Sequence, residues 1–110
     1  AQVEAARHGV PLTYFEASTL AALLLIATSD VDAAVLEVGL GGRLDAVNIV
    51  DADAQLITTV DLDHQAWLGS DRETIGFEKA GVLRPGRPAV YADTNAVHSI
   101  REHARCIGAT

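Results

Sequence analysis

The sequence predicts an α/β fold, a partial parallel sheet with flanking helices. A mostly apolar run at 33–38 and a β-branched run at 55–60, both of strand length, alternate with segments of helical pattern. A shorter run at 88–92 predicts a third strand. Strands that alternate with helices form parallel sheets joined by crossover connections. The 110 residues are enough for one small core.

Two helices are predicted in the first third of the chain. Residues 1–8 resemble the end of a helix, and Gly9 stands where helices often turn left-handed. Thr13 and Glu16 have the spacing of a capping box, which predicts an apolar helix over 14–28. The apolar residues that recur at helical spacing, and that we expect to face the core, are Leu20, Leu23, Leu24 and Ala27.

The predicted strands differ in pattern. Residues 33–38 form an apolar run of the kind found in buried parallel strands. Residues 55–60 are rich in β-branched side chains, which favour strands. The connection over 39–52 is long and irregular, and loops of that length are usually functional or disordered.

Two further helices are predicted in the second half. Ser70 and Glu73 have capping-box spacing and predict a helix that ends near residue 83. Asp93 or Thr94 is predicted to cap a last helix over 95–107. The helix–strand alternation therefore continues to the end of the chain.

Composition excludes several classes of function. The chain has a net charge of −7 and no run of Lys or Arg, which argues against a nucleic-acid surface. The apolar run 20–27 is too short to span a bilayer. Cys106 is the only cysteine, so an internal disulfide is impossible, and the composition suits the reducing cytoplasm. Because the chain lacks methionine and starts at Ala1, we expect a segment of a longer protein.

Glu37 is a candidate site residue because it ends the first predicted strand. Ligands of open parallel sheets bind beyond the carboxyl ends of the strands, and a carboxylate buried there needs compensation. Gly39, Gly41 and Gly42 follow, but the third position of a dinucleotide fingerprint falls on Leu44, so a nicotinamide site is rejected. The alternative for Glu37 is a carboxylate that faces water.

The second predicted strand also ends in ionisable residues, Asp61, Asp63 and His64. Parallel strands bring these ends to one edge of the sheet, where Glu37 would lie as well. Carboxylate oxygens, a histidine and phosphate oxygens can hold a divalent metal such as Mg²⁺. Alternatively, His64 is a packed or solvated histidine.

Lys79 lies within the predicted helix that follows. In one interpretation it is a solvated lysine paired with Glu78 or Glu73. In the other, its amine is neutral, as burial favours, and reacts with carbon dioxide. The resulting carbamate would be an anionic metal ligand.

Four segments together resemble the folylpolyglutamate synthase/dihydrofolate synthase family of Mur ligases. They are LTYFEASTLAALLL, DAAVLEVGLGGRLDAVNIVDAD, LDHQAWLG and RETIGFEKAGVLRPGRPAV, between about Gly9 and Val90. The resemblance implies that residues 1–110 are part of a P-loop-type ATP-binding domain. The phosphate-binding loop would lie upstream and the C-terminal domain downstream, so we expect this chain alone to be inactive.

The resemblance also implies an activity and its cofactors. The parent protein would be an ATP-dependent ligase that adds L-glutamate to dihydropteroate or folates through an acyl phosphate, acting as a monomer. Glu37 would bind the Mg²⁺ that accompanies ATP. His64 and carbamylated Lys79 would bind a second metal, and these three residues would be the catalytic ones.

The implied pterin pocket contains Thr13, Phe15, Arg43 and Asp45. The chain departs from the family pattern at four positions, which puts details of the pocket in question: Val47, Gln65, Ala66 and Phe77. Two alternatives stay open. One is a non-catalytic α/β remnant or interaction domain, and the other is a different Mur-type amide ligase, against which the LTYFE and GGRLDA motifs argue.

Overall fold

The computed structural model describes residues 2–110, except for the side chains of residues 65 and 66. The helices are α1 (Gln2–Ala6), α2 (Tyr14–Ala27), α3 (Gln65–Leu68), α4 (Arg72–Ala80) and α5 (His98–Ile107), with a 3₁₀ helix at Ala46–Ile49. The strands are β1 (Gln55–Ile57) and β2 (Ala89–Tyr91). The chain divides into two compact units, an N-terminal unit (Ala1–Glu37) and a C-terminal unit (Val38–Thr110).

The predicted end of the first helix and the predicted start of the second are confirmed. The chain leaves α1 through His8 and Gly9, which have φ angles of +46° and +81°. Thr13 and Glu16 form the full capping box: the Thr13 hydroxyl oxygen accepts from the Glu16 N–H at 3.2 Å, and the Glu16 carboxylate accepts from the Thr13 N–H at 2.7 Å. Local sequence therefore sets where α2 begins.

The prediction that α2 presents a core-facing stripe is wrong. None of its residues is buried, including Leu20, Leu23, Leu24 and Ala27, and Leu25 is 68% exposed. The apolar residues of α2 are distributed over all of its faces. This pattern is typical of helices that are buried in larger assemblies. Within its own unit, α2 packs against the five-residue α1, which contributes no buried residue.

The predicted buried strand at 33–38 is also not formed. Among the described residues it has no strand partner, and Val35 is 97% exposed. A strand requires backbone hydrogen bonds to a neighbour, which an apolar sequence pattern cannot supply by itself. The segment follows α2 without regular secondary structure.

The parallel pairing predicted for the later strands is confirmed. β1 pairs with β2 in parallel, with Leu56 opposite Val90 and Ile57 opposite Tyr91. Both strands are shorter than predicted. After Ile57 the backbone of Val60 bonds to side chains instead of a neighbouring strand: its N–H donates to Asp93 and its C=O accepts from Arg72.

The core of the C-terminal unit lies between one face of this sheet and helices α4 and α5. Side chains alternate along β1, so that Ile57 is buried and Leu56 is 62% exposed. The buried apolar residues are Ile57, Val60, Ile75, Ala80, Leu83, Val97 and Ile100. Helix α4 packs on α5, and this cluster joins residues of both helices to Ile57 of the sheet.

The capping residues of α4 and α5 differ from those predicted. Asp71, not Ser70, caps α4 and accepts from the N–H and hydroxyl of Thr74 at 2.9 and 2.8 Å. These bonds lower the pKa of Asp71. The predicted box fails because the carboxylate of Glu73 is engaged elsewhere, at the N-terminus of α5.

Helix α5 starts at His98 and is capped from another helix. Its N-cap residue, Val97, makes no side-chain cap bond. Instead, Glu73 accepts from the N–H groups of His98 and Ser99 at 3.0 and 2.7 Å. The capping roles predicted for Asp93 and Thr94 are therefore wrong, because a carboxylate from α4 takes that place.

Candidate functional site

Asp45 organises the glycine-rich loop of residues 39–45. One carboxylate oxygen accepts from the N–H groups of Gly39 and Leu40 at 3.1 and 3.0 Å. The other accepts from the N–H of Val47 at 2.9 Å and caps the 3₁₀ helix. A connection expected to be irregular is therefore folded around one carboxylate.

The glycines of this loop allow its backbone to lie directly on α4. A Cβ atom on Gly42 would lie 2.9 Å from the carbonyl oxygen of Glu78 and 3.1 Å from that of Lys79. A Cβ on Gly81 would overlap Arg43. The N–H of Arg43 donates to the carbonyl of Glu78 at 2.9 Å. Because Gly42 and Gly81 have no side chain, the backbone of the loop can pack closely against α4.

Arg43, predicted to bind substrate, forms an ion pair with Glu78. Its Nη2 donates to Glu78 Oε1 at 2.9 Å, and its Nε lies 3.2 Å from both carboxylate oxygens. The Arg43 Cζ lies 6.0 Å from the ring centroid of Phe77. The Arg43 side chain is 46% exposed, so the pair contributes little stability. A role of Arg43 in substrate binding stays a prediction.

Lys79 is half-buried in the last turns of α4 and is the only lysine of the chain. The local pairing considered for it is not formed. Glu78 pairs with Arg43, Glu73 caps α5, and Lys79 makes no ion pair with any residue whose side chain is described. The solvated-pair interpretation thus loses its partners, while the carbamate stays a prediction.

His64 has a left-handed backbone with φ of +52°. Asp63 Oδ1 accepts from the His64 N–H at 2.7 Å, and Asp63 Oδ2 lies 3.6 Å from His64 Nε2. The His64 carbonyl accepts from the N–H groups of Trp67 and Leu68, which starts α3. No sequence signal indicates this strained backbone conformation, which is uncommon outside glycine.

An ion pair between Arg72 and Asp93 holds Val60, in the segment that leads from β1 to His64. Arg72 Nη2 donates to Asp93 Oδ2 at 2.8 Å, and Arg72 Nε donates to the Val60 carbonyl at 2.7 Å. N–H donation from Asn95 and Val60 lowers the pKa of Asp93. This pair was not predicted, because its members lie 21 positions apart in sequence.

The other predicted site residues belong to the N-terminal unit. Thr13 forms the capping box, Phe15 is exposed in the first turn of α2, and Glu37 is exposed at the end of the unit. The seven predicted site residues are therefore divided between the two units. The convergence of Glu37, His64 and Asp45 on one edge of the sheet stays a prediction.

The metal site is likewise not assembled by the residues described. Among side chains of residues 2–64 and 67–110, no group of three or more His, Cys, Asp or Glu could hold a metal ion. The imidazole of His64 is a suitable donor, but a coordination shell needs further ligands. An unmodified Lys79 supplies none, since an ammonium group has no lone pair. The departures at residues 65 and 66 lie outside the described side chains.

Sequence reasoning missed the residues that attach the loop to α4. Asn48 donates to the carbonyl oxygens of Gly81 and Arg43 at 3.0 and 3.2 Å. Arg84 donates to the carbonyl and side-chain oxygens of Asn48 at 2.8 and 3.0 Å. Glu78 was considered only as a partner of its neighbour Lys79. No local pattern links residues 48 and 84.

The chain is similar to known proteins both in sequence and in structure. No family model matches the chain. It is 50% identical over 109 residues to the dihydrofolate synthase/folylpolyglutamate synthase of Escherichia coli. The matched region covers 99% of this chain and 26% of that relative. A Yersinia pestis folylpolyglutamate synthase/dihydrofolate synthase, solved with AMPPNP and a Mn ion, is 55% identical and superposes with a TM-score of 0.94. The chain is therefore similar, over nearly its whole length, to the folylpolyglutamate synthase/dihydrofolate synthases of both organisms.

Some of the similar structures were solved with ligands bound. E. coli FolC in complex with DHPP and ADP is 51% identical, has a TM-score of 0.94, and is matched over 96% of this chain and 26% of that one. The Y. pestis match covers 100% of this chain and 27% of the other. The chain thus spans about a quarter of the length of these relatives. In the described residues, no helix combines the length and apolar character needed to cross a membrane.

Proposed function

We propose that the chain is part of an ATP-dependent ligase that adds L-glutamate to dihydropteroate, to folates, or to both. The observation that carries this proposal is the glycine-rich loop with Asp45, packed on the helix that carries Lys79, in a chain homologous to such synthases. Related structures contain ADP with DHPP, or Mn with AMPPNP and L-glutamate. These are the ligands that such a reaction requires.

The reaction has two steps. A substrate carboxylate attacks the γ-phosphorus of ATP, which forms an acyl phosphate and releases ADP. The glutamate amine then attacks the acyl carbon, phosphate leaves, and an amide forms. Positioning and charge neutralisation provide most of the catalysis in phosphoryl transfer. The chain's own residues would therefore act by holding ligands and not as nucleophiles.

Glu37, His64 and Lys79 are the residues we propose for Mg²⁺, with Glu37 at the ATP-bound ion. When bound, a divalent ion offsets the negative charge that phosphate carries. Lys79 would take part as its carbamate. Support comes from its half-buried position and from the engagement of both neighbouring carboxylates with other groups.

Thr13, Phe15, Arg43 and Asp45 are the residues we propose for the pterin pocket. Support comes from the exposure of Phe15 and from the fixed position of Asp45 within its loop. The complete protein would act on small molecules in the cytoplasm as a monomer, without nucleic acid or membrane partners. The strongly negative net charge agrees with the absence of a nucleic-acid surface.

Substitution of Lys79 in the full-length protein tests the proposal. Lys79→Ala should abolish glutamate-dependent ADP release, and a short carboxylic acid added to the medium should restore part of it. Lys79→Arg should stay inactive, because an arginine side chain keeps its positive charge and cannot form a carbamate. Arg101→Ala removes an exposed cation from α5 and serves as the control. Near-normal turnover in Lys79→Arg would show that Lys79 is an ordinary helix lysine.

A second experiment separates the ligase from a non-catalytic remnant. This chain replaces the matching segment of the E. coli relative, and the chimera is tested for growth of cells that lack that enzyme. A ligase segment should support growth, and the Lys79→Ala chimera should not. A remnant would support growth in neither form. The gene sequence upstream of Ala1 gives an independent check, since a ligase needs a phosphate-binding loop there.

A further inference from the structure

We infer that Asn48 and Arg84 are positioning residues, which fix the loop that carries Asp45 onto the helix that carries Lys79. The inference rests on the proposed function, because it concerns the placement of two residues of that site. Neither Asn48 nor Arg84 is expected to touch substrate. They act through the backbone of the loop and of α4.

Asn48 connects the two elements through its side-chain amide. Its Nδ2 donates to the Gly81 carbonyl at the C-terminus of α4 at 3.0 Å. The same nitrogen donates to the Arg43 carbonyl within the loop at 3.2 Å. One primary amide thus uses its two N–H groups on the two elements that must stay together.

Arg84 holds Asn48 from the other side. Its Nη2 donates to the main-chain and side-chain oxygens of Asn48 and to the Val50 carbonyl. Its Nη1 donates to the Val82 carbonyl at 3.0 Å, just beyond α4. The Arg84 side chain is only 19% exposed. A cation that binds carbonyl groups at a helix C-terminus is favoured by the helix dipole.

Apart from the backbone bond of the Arg43 N–H to the Glu78 carbonyl, the other contacts between loop and helix are less directional or more exposed than this network. Gly42 and Gly81 permit close approach but provide no directional side-chain bond. The ion pair of Arg43 with Glu78 is half-exposed on the arginine side, and such pairs are weak. The directional bonds from partly buried side chains are those of Asn48 and Arg84. Their loss should let the loop move relative to α4.

The experiment uses the full-length protein with Asn48→Ala, Asn48→Asp and Arg84→Lys. Asn48→Asp keeps the side-chain oxygen for Arg84 but loses both amide donors. Arg84→Lys keeps the charge but loses the planar fork. The matched control is Arg87→Ala from the same turn, where the half-exposed side chain pairs with the exposed Asp53. All variants are first compared by thermal unfolding.

Two readouts separate positioning from general destabilisation. The first is hydrogen exchange of the Arg43 amide, which donates to Glu78 across the loop–helix contact. It should accelerate roughly tenfold in Asn48→Ala and Asn48→Asp, the loss expected for one net hydrogen bond. The second is KM for the pterin substrate, which should rise by a similar factor while KM for ATP stays unchanged. In Arg84→Lys, both the exchange rate of the Arg43 amide and KM for the pterin substrate should lie between those of the wild type and of Asn48→Ala.

Unchanged exchange of the Arg43 amide would overturn the inference, as would equal changes in both KM values. A fall in melting temperature with unaltered kinetic constants would also overturn it, because the residues would then be merely structural. Failure of the proposed function looks different. In that case the wild-type protein or the Lys79→Ala variant behaves unexpectedly, while exchange of the Arg43 amide still reports whether Asn48 holds the loop.

Discussion

The two units of the chain are stabilised in different ways. The N-terminal unit contains a fully capped apolar helix, yet none of the residues in α1 or α2 is buried. The C-terminal unit has shorter elements but a core of seven buried apolar residues. Good local sequence signals therefore do not by themselves produce burial. Burial requires a second apolar surface that the fold brings into contact.

The polar interactions follow the same division. Every side-chain hydrogen bond described within the N-terminal unit joins residues three or four positions apart. In the C-terminal unit, Arg43 reaches Glu78, Asn48 reaches Gly81, and Glu73 reaches Ser99, over 35, 33 and 26 positions. The first unit is thus described by local rules and the second by tertiary contacts.

The largest difference between the units is expected for apolar truncation. Ile75 is 1% exposed, so Ile75→Ala should lower the free energy of unfolding of the C-terminal unit by about 2–5 kcal/mol. Leu25→Ala in α2 should change it by less than about 0.5 kcal/mol, because Leu25 is largely exposed. Urea unfolding of the 110-residue chain, followed by circular dichroism, measures both. Equal effects would show that α2 is covered in solution.

A smaller loss of stability is expected where a glycine lies at the contact between the loop and α4. Gly81→Ala places a methyl group against Arg43 and should cost about 1–3 kcal/mol, the usual range for overpacking. Gly86 has φ of +67° and open space around it, so Gly86→Ala introduces strain without a clash. Exchange of the Arg43 amide should increase only in Gly81→Ala. An increase in both variants would argue against direct loop–helix packing.

Removal of the helix cap in the N-terminal unit should have a limited effect. Thr13→Ala deletes the hydroxyl of the capping box and should destabilise α2 by about 1 kcal/mol. Asp71→Ala removes the corresponding cap of α4, which adjoins the buried Ile75. Helix content by circular dichroism should fall in both variants, whereas the unfolding midpoint of the C-terminal unit should fall only in Asp71→Ala. A lower unfolding midpoint of the C-terminal unit in Thr13→Ala would show that the stabilities of the two units are coupled.

The smallest effect is expected from acidification and appears only below neutral pH. Hydrogen bonds from the N–H groups of Ser99 and His98 lower the pKa of Glu73, and bonds from Thr13 lower the pKa of Glu16. Each carboxylate therefore contributes stability above its unfolded pKa of about 4.5, and this stability is lost as the pH falls through the folded pKa.

These two carboxylates separate the units in an acid titration. Protonation of Glu73 should loosen the start of α5 and its contact with α4, whereas protonation of Glu16 should fray only the first turn of α2. Amide chemical shifts of Ser99 and Thr13, measured by NMR from pH 6 to pH 2 (roughly the range in which carboxylates titrate), report the two events. In Glu73→Gln the titration at Ser99 should disappear. Its persistence would assign that shift to another group.

Local sequence predicted some features because the interacting residues are close neighbours. The Thr13 box and the end of α5 at Gly108 both match the structure. The parallel β1–β2 pairing also matches, but it joins residues far apart in the sequence and was predicted from the alternation of strands and helices. Residues 33–38 show the limit of this approach. Their apolar pattern is correct for a strand, but the described residues provide no neighbour for it.

The candidate site shows the same limit. Asp45 and Lys79 were selected from motifs, and the structure places them on a loop and a helix that pack together. The residues that hold this contact, Asn48 and Arg84, carry no signal in sequence because 36 positions separate them. Glu73 was predicted to form a capping box with Ser70 or to pair with Lys79, and neither prediction holds, because the position of α5 gives its carboxylate the N–H groups of His98 and Ser99.

The sequence by itself determined the resemblance to the folylpolyglutamate synthase/dihydrofolate synthase family, the helix starts with neighbouring caps, and the residue types that could bind metal and substrate. These follow from short-range bonds and from motifs read along the chain. Only the tertiary structure decided which carboxylate caps α5, which partner Arg43 takes, and which apolar residues are buried. The physical reason is that a hydrogen bond or an apolar contact depends on distance in space, and for these residues that distance is set by the packing of α4 on α5 and of the glycine-rich loop on α4.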